Sequence, residues 1–293
     1  MRAQSNGLEL EYETFGDESA PPLLLVMGFA QQLVAWDDRF CLQLAARGFR
    51  VIRFDNRDVG LSTKLGAAPL PDMAAILGGE RSTIAYSVED MADDTAGLIE
   101  ALGLRAMHVV GLSMGGMIAQ SLAIRHPAHV ISLTSIMSTT GDPRVGQATS
   151  EALALIGRRG PSERSAAIEH GILVWRTLSS TGYPFDEARV RDRVTRSYDR
   201  SFYPAGAARQ AGAIVSQRDR TEALGRVTVP AVVVHGANDP LINVSGGEAT
   251  ARAIPGARLV VVPGMGHDLP EGVWPIVIDA IVNNAGRAQV TRP

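Results

Sequence analysis

Ala106-Met107-His108-Val109-Val110-Gly111-Leu112-Ser113-Met114-Gly115-Gly116-Met117-Ile118-Ala119-Gln120 lies in the middle of this 293-residue chain and decides its fold. Residues 106–110 are short, apolar and β-branched at their end, as a buried strand would be. From Gly116 to Ile124 the apolar residues take a helical period, which His126-Pro127 halts. Strand, tight turn and helix therefore meet at Gly111-Leu112-Ser113-Met114-Gly115, a G-x-S-x-G elbow. Its glycines let the backbone pass close to its neighbours, and the turn lifts the Ser113 hydroxyl over the sheet edge. A bare G-x-S-x-G also arises by chance as an ordinary turn, so the elbow needs partners elsewhere in the chain.

A serine is a weak nucleophile near neutral pH without a base, and the base needs an orienting acid. Six histidines are available. His108 lies within the strand before the elbow and reads as packing. His126 and His129 flank Pro127 as loop or helix-end residues. His170 falls in an amphipathic helix with no carboxylate pattern around it. His235 ends the apolar run Pro230-Ala231-Val232-Val233-Val234, a structural position at a strand's end. His267 differs: it follows Val260-Val261-Val262-Pro263-Gly264-Met265-Gly266, a strand and a loop with two glycines. The acid candidate is Asp239, in His235-Gly236-Ala237-Asn238-Asp239-Pro240, again just past a strong strand, where sites of open α/β sheets gather. Asn238-Asp239-Pro240 is also a serviceable turn. The chain order Ser113, Asp239, His267 is the nucleophile, acid, base order of elbow-bearing hydrolases and neither order of the common serine proteases.

Acyl transfer also builds an oxyanion, which two preorganised backbone N–H groups can stabilise. Leu23-Leu24-Leu25-Val26-Met27-Gly28-Phe29-Ala30 reads as a buried strand entering a turn. The expected donors are the N–H groups of Phe29, just after Gly28, and of Met114, just after the nucleophile.

A chain of this length can bury about three quarters of its unfolded surface, enough for one core and an insertion. Hydrophobic residues make up 45%, charged residues 20%, and the net charge is -3. That balance gives no electrostatic reason to bind nucleic acid or an anionic membrane. Cys41 is the only cysteine, so no intrachain disulfide can form. It reads as a small core residue of the amphipathic segment Arg39–Ala46. No His/Cys cluster has metal-ligand spacing, and neither metal nor cofactor is expected. Met1–Phe15 alternates like an edge strand and lacks a secretory apolar region. No stretch approaches the roughly eighteen apolar residues of a membrane span, and a cytoplasmic location is expected.

Strands and helices alternate from the start: strand Leu23–Met27, helix Asp37–Arg47, strand Arg50–Phe54. A helix then opens at Ser87-Val88-Glu89-Asp90, a capping box with Asp in the Glu position. The elbow and strand Val130–Met137 follow. The class is α/β, with a mainly parallel sheet flanked by helices. Between 138 and 218 the strand pattern stops. Helical segments near Gln147–Arg159, Pro161–Leu178, Asp186–Ser201 and Ala205–Gln217 replace it. Strands resume at Val227–Val234 and Arg258–Val262, and a helix near Gly272–Asn284 follows. Residues 1–137 and 219–293 are thus expected to form the core, with 138–218 a helical cap over the sheet edge. Within it Asp186–Arg193 reads as a solvated helix face with i,i+4 pairs. Trp175, Tyr183 and Phe185 either roof a pocket or pack internally.

These features resemble the α/β-hydrolase superfamily nearly end to end. Asp55-Asn56-Arg57-Asp58-Val59-Gly60-Leu61-Ser62 is similar to the family's D-x-R-G-x-G-x-S segment, with Asp58 where glycine is usual, and the resemblance implies a scaffold role beside the oxyanion turn. Pro263-Gly264-Met265-Gly266-His267 resembles the family's histidine loop. Residues 23–28 and the run Trp175 to Asp186 resemble the aclacinomycin methylesterase-like carboxylesterases. Met27 stands where relatives often carry histidine. Phe29 stands where the aclacinomycin enzyme has glycine and would narrow that side against a bulky polyketide ester. The resemblance implies a serine carboxylesterase acting on a small-molecule ester. Methylesterase, lactonase, thioesterase, C–C bond hydrolase and perhydrolase chemistry would use the same triad. A catalytically feeble ligand-binding receptor on this fold is the alternative of a different class. Oligomeric state is not legible.

Overall fold

Within the apolar strands, successive side chains point to opposite faces of the sheet, and this sorts the core into two layers. The computed structural model describes residues 1–157 and 160–290. Strands β1 (Arg2–Ser5), β2 (Leu8–Phe15), β3 (Pro22–Val26), β4 (Arg50–Phe54), β5 (Met107–Leu112), β6 (Val130–Ile136), β7 (Ala231–Gly236) and β8 (Arg258–Val262) form one sheet, ordered β1-β2-β4-β3-β5-β6-β7-β8. β2 is antiparallel to β1 and β4, and every other neighbouring pair is parallel. The helices are α1 (Asp38–Ala46), α2 (Met73–Leu77), α3 (Val88–Ala101), α4 (Met114–Arg125), α5 (Ser150–Ile156), α6 (Arg164–Leu178), α7 (Glu187–Arg200), α8 (Pro204–Val215), α9 (Thr221–Leu224), α10 (Ser245–Ala253) and α11 (Trp274–Val290).

Leu24 and Val26 of β3 face one layer, with Met91, Leu98 and Ile99 of α3 and Ile118 and Leu122 of α4. Leu23 and Leu25 face the other, with Phe40, Cys41 and Leu44 of α1 and Val277, Ile278 and Ile281 of α11. Burial drives the Cys41 thiol pKa up to about 12, so this sulfur behaves as an apolar core group. The capping box at Ser87 is present: Ser87 Oγ accepts from Asp90 N–H at 3.1 Å, and Asp90 accepts from Ser87 N–H at 2.8 Å.

Two sequence expectations need correction. Met1–Phe15 is a hairpin rather than one edge strand, turned at Asn6-Gly7, where both residues have positive φ (50° and 75°). The strand expected from Val227 begins at Ala231, because Pro230 has no N–H for a ladder and Val227 N–H is spent in a turn on Leu224 C=O. Helix α10 was not legible, since Gly246-Gly247 masks its pattern. The four helical segments expected after β6 are present as α5–α8, each shortened by one to three residues at most ends. Arg158 and Arg159, within the first of those segments, lie outside the described residues.

Candidate active site

Ser113 joins β5 to α4 at φ 57° and ψ −120°, a conformation that a non-glycine residue holds only when its surroundings enforce it. The enforcement is close packing: a methyl group on Gly115 would collide with the backbone carbonyl of Val26 in β3. The serine thus stands at the carboxyl edge of the central strand, with α4 starting directly beneath it.

Asp239 and His267 arrive at the same edge from the ends of β7 and β8. His267 Nε2 is 2.9 Å from Ser113 Oγ, and His267 Nδ1 is 2.7 Å from Asp239 Oδ2. An ionised carboxylate can only accept, so Nδ1 carries the proton and Nε2 is left to accept from the serine hydroxyl. The other carboxylate oxygen of Asp239 accepts from Leu241 N–H and Ile242 N–H, both at 2.8 Å. All three side chains are under a tenth exposed. The sequence-predicted serine, acid and base therefore form one continuous hydrogen-bonded relay.

His235 lies behind the acid, with Nε2 3.6 Å from Asp239 Oδ2 and donating to Ile242 C=O at 2.7 Å. Its place at the end of β7 fits the structural role read from the sequence. Burial holds this imidazole below its ordinary pKa of 6.5. The unfolded chain takes up a proton near that value while the folded chain resists it. Stability is therefore complete above about pH 6.5 and declines as the pH falls below it. The melting temperature is expected to drop between pH 7 and pH 5, and His235→Gln should flatten part of the drop. Equal pH slopes in both proteins would remove His235 as its source.

The expected oxyanion turn abuts the nucleophile: a methyl on Gly28 would lie 3.2 Å from Ser113 Cβ. Among the described residues, no group accepts from the N–H of Phe29 or Met114. The turn itself is fixed from two sides. Asn56 Nδ2 donates to Met27 C=O at 2.9 Å, and Gln210 Oε1 accepts from Ala30 N–H at 2.8 Å while its Nε2 donates to Arg57 C=O at 3.0 Å. Asp58 has a φ of 67°, which accounts for the glycine usual at that position, and its buried carboxylate pairs with Arg209 at 2.8 Å. Arg200 reaches Asp55 at 2.6 Å. The Asp55–Ser62 segment is thus the scaffold expected, but its partners Arg200, Arg209 and Gln210 were missed. They sit in α7 and α8, and nothing local marks them.

The histidine loop is also tied to the helical insertion. His267 N–H donates to Leu178 C=O at 2.8 Å, and Gly266 N–H donates to Ser180 Oγ at 2.9 Å. Ser180 Oγ donates in turn to Asp268 at 2.5 Å. A cavity of about 580 Å³ lies between insertion and sheet edge, reaching Ser113, His267 and Phe29. Trp175, Tyr183 and Phe185 all line it, although Tyr183 also packs on the core. His170 lines it too, a placement the sequence did not suggest. The Asp186–Arg193 run departs from its expectation as a solvated face. Glu187–Arg191 is an exposed i,i+4 pair, but Arg189 crosses to Asp37 at 2.7 Å and Glu271 at 3.1 Å, and Arg193 faces the cavity.

Residues 21–271 match the family model described as alpha/beta hydrolase fold. The chain belongs to the α/β-hydrolase family. Among α/β-hydrolase relatives, rhodomycin D methylesterase DauP of Streptomyces sp. (strain C5) is 30% identical over 95% of both chains. DnrP of Streptomyces peucetius, also a rhodomycin D methylesterase, is 28% identical over 95% of both. The bifunctional esterase/perhydrolase DCH of Acinetobacter calcoaceticus is 25% identical, over 90% of this chain and 91% of that one. The crystal structure of the enol-lactonase from Burkholderia xenovorans LB400 superposes with a TM-score of 0.72 at 23% identity, covering 99% of this chain and 100% of that one. That likeness is one of fold.

Proposed function

We propose that this chain is a serine carboxylesterase that hydrolyses small to medium carboxylic esters through an acyl-enzyme on Ser113. The observation that carries the reading is the relay itself, Ser113 Oγ to His267 Nε2 at 2.9 Å and His267 Nδ1 to Asp239 at 2.7 Å. In the first step Ser113 Oγ attacks the ester carbonyl while its proton passes to His267 Nε2. The resulting oxyanion accepts from the N–H groups of Phe29 and Met114, which have no competing acceptor among the described residues. His267 then gives its proton to the departing alcohol. A water molecule, deprotonated by the same imidazole, cleaves the acyl-enzyme and restores the serine. Asp239 fixes the imidazole tautomer and stabilises the imidazolium.

The insertion of residues 138–218 acts as a cap in this reading. Its side chains close the cavity over Ser113, and it holds the histidine loop through the Leu178 carbonyl and the Ser180 hydroxyl. Methylesterases and an esterase/perhydrolase among the relatives support an ester substrate. A serine rather than an aspartate at the elbow disfavours epoxide hydrolase and haloalkane dehalogenase chemistry. A panel of p-nitrophenyl esters from acetate to palmitate, with methyl esters and lactones alongside, tests the assignment. Turnover is expected to peak at short to medium acyl chains and to fall at palmitate. Absence of cleavage across the whole panel would favour the ligand-binding alternative.

A further inference from the structure

One face of α7 carries Arg189, Arg193, Ser197 and Arg200, the first three of them lining the cavity. Its ends are anchored: Arg189 pairs with Asp37 and Glu271, and Arg200 donates to Gln32 at 2.8 Å and Asp55 at 2.6 Å. The two residues between them are not. Arg193 Nε and Ser197 Oγ, one helical turn apart, are both buried without a hydrogen-bond partner, and both residues line the cavity that holds Ser113 and His267. The Arg193 guanidinium lies over the Trp175 ring, 4.1 Å from its centroid. Burial lowers its pKa to about 10, still well above neutrality, so it stays charged.

A buried guanidinium whose Nε has no partner calls for an acceptor. Asp268 and Asp37 lie near enough to act on its charge, but among the described residues no carboxylate around this cavity forms an ion pair or hydrogen bond with Arg193. Asp37 and Glu271 are held by Arg189, Asp186 accepts from Arg189 N–H, Asp192 faces Arg196 at 3.9 Å, and Asp268 accepts from Ser180. Asp192 and Glu271 are 70% and 55% exposed, so water and salt screen their repulsion of an incoming anion. The nearer charges are offset locally, Asp37 by its ion pair with Arg189 and Asp268 by the Ser180 hydroxyl and N–H. From these positions we infer that Arg193 and Ser197 form a recognition point for a carboxylate carried by the substrate in addition to its ester. The substrate class is then a half-ester of a dicarboxylic acid: Ser113 takes the ester end, and Arg193 with Ser197 takes the free carboxylate. This inference rests on the esterase reading above and specifies its substrate. Charge-assisted hydrogen bonds from a guanidinium to a carboxylate favour such a substrate by about tenfold or more over a neutral ester of the same shape.

The test compares mono-p-nitrophenyl esters of succinate, glutarate, adipate and suberate with neutral branched alkanoates of matched length. The readout is the ratio of kcat/KM for each anionic–neutral pair. In wild-type protein the ratio should reach about ten or more at one chain length at least. It should fall toward one in Arg193→Met and be partly kept in Arg193→Lys. Ratios compare two substrates on one protein, so a lower folded fraction in a variant cancels. Should Arg193→Met not fold, the wild-type series and Ser197→Ala carry the test, the latter by a smaller ratio. Cleavage of the neutral esters with ratios at or below one at every length, or with ratios unchanged in Arg193→Met, overturns this inference alone. Cleavage of no ester overturns it together with the esterase reading.

Discussion

Ser113→Ala is expected to lower kcat on p-nitrophenyl butyrate by on the order of 10⁶, with KM little changed. The size follows from what the hydroxyl does. In the proposed mechanism it is the group that forms the acyl bond, and without it His267 and Asp239 have only water to activate. The substitution leaves the fold alone: alanine removes one oxygen, and the strained backbone at φ 57° is enforced by packing around Gly115 and Val26 rather than by the hydroxyl. A residual rate above that of water is expected from the oxyanion donors and the cavity. A variant that kept most of its activity would exclude Ser113 as the nucleophile.

Asp239→Asn is expected to cost on the order of 10⁴ in kcat, again with an intact fold. The asparagine carbonyl oxygen can replace Oδ1 and accept from Leu241 N–H and Ile242 N–H at 2.8 Å, so its amide nitrogen is turned toward His267 Nδ1. That nitrogen donates, so Nδ1 must accept and the ring proton moves to Nε2. The imidazole then faces Ser113 with a proton and cannot take another. Single-turnover kinetics should show the loss in both acylation and deacylation, since the same Nε2 must take a proton from the serine in one and from water in the other. A loss below tenfold would mean that Asp239 holds the loop and not the tautomer.

The parts of the account that the sequence discloses share one property: each is set by neighbours within about ten residues. The strand–elbow–helix at 106–124 shows as a change from strand to helix period, and Asp239 and His267 show as polar residues directly after apolar strands. The parts it hides depend on meetings far along the chain. Gln210 sits in an Ala/Gly-rich helix, and its role exists only because Ala30 and Arg57 are brought beside it. Arg189 looks like half of a local ion pair, whereas its true partners are Asp37 and Glu271 from distant segments. Arg193 and Ser197 are conspicuous only through what they fail to pair with, which no pattern of residue types can report. The Asn6-Gly7 hairpin is different, because its turn signal was present in the sequence and was overridden by the alternation of residues 1–15.

Labelling with a serine-directed phosphonate, read by the mass of the tryptic peptide Ala106–Arg125, addresses the nucleophile without depending on substrate choice. One adduct per chain, located on Ser113 and suppressed by Asp239→Asn, is the predicted result. No adduct under conditions that saturate a reference serine esterase, or an adduct on any other residue, would contradict it.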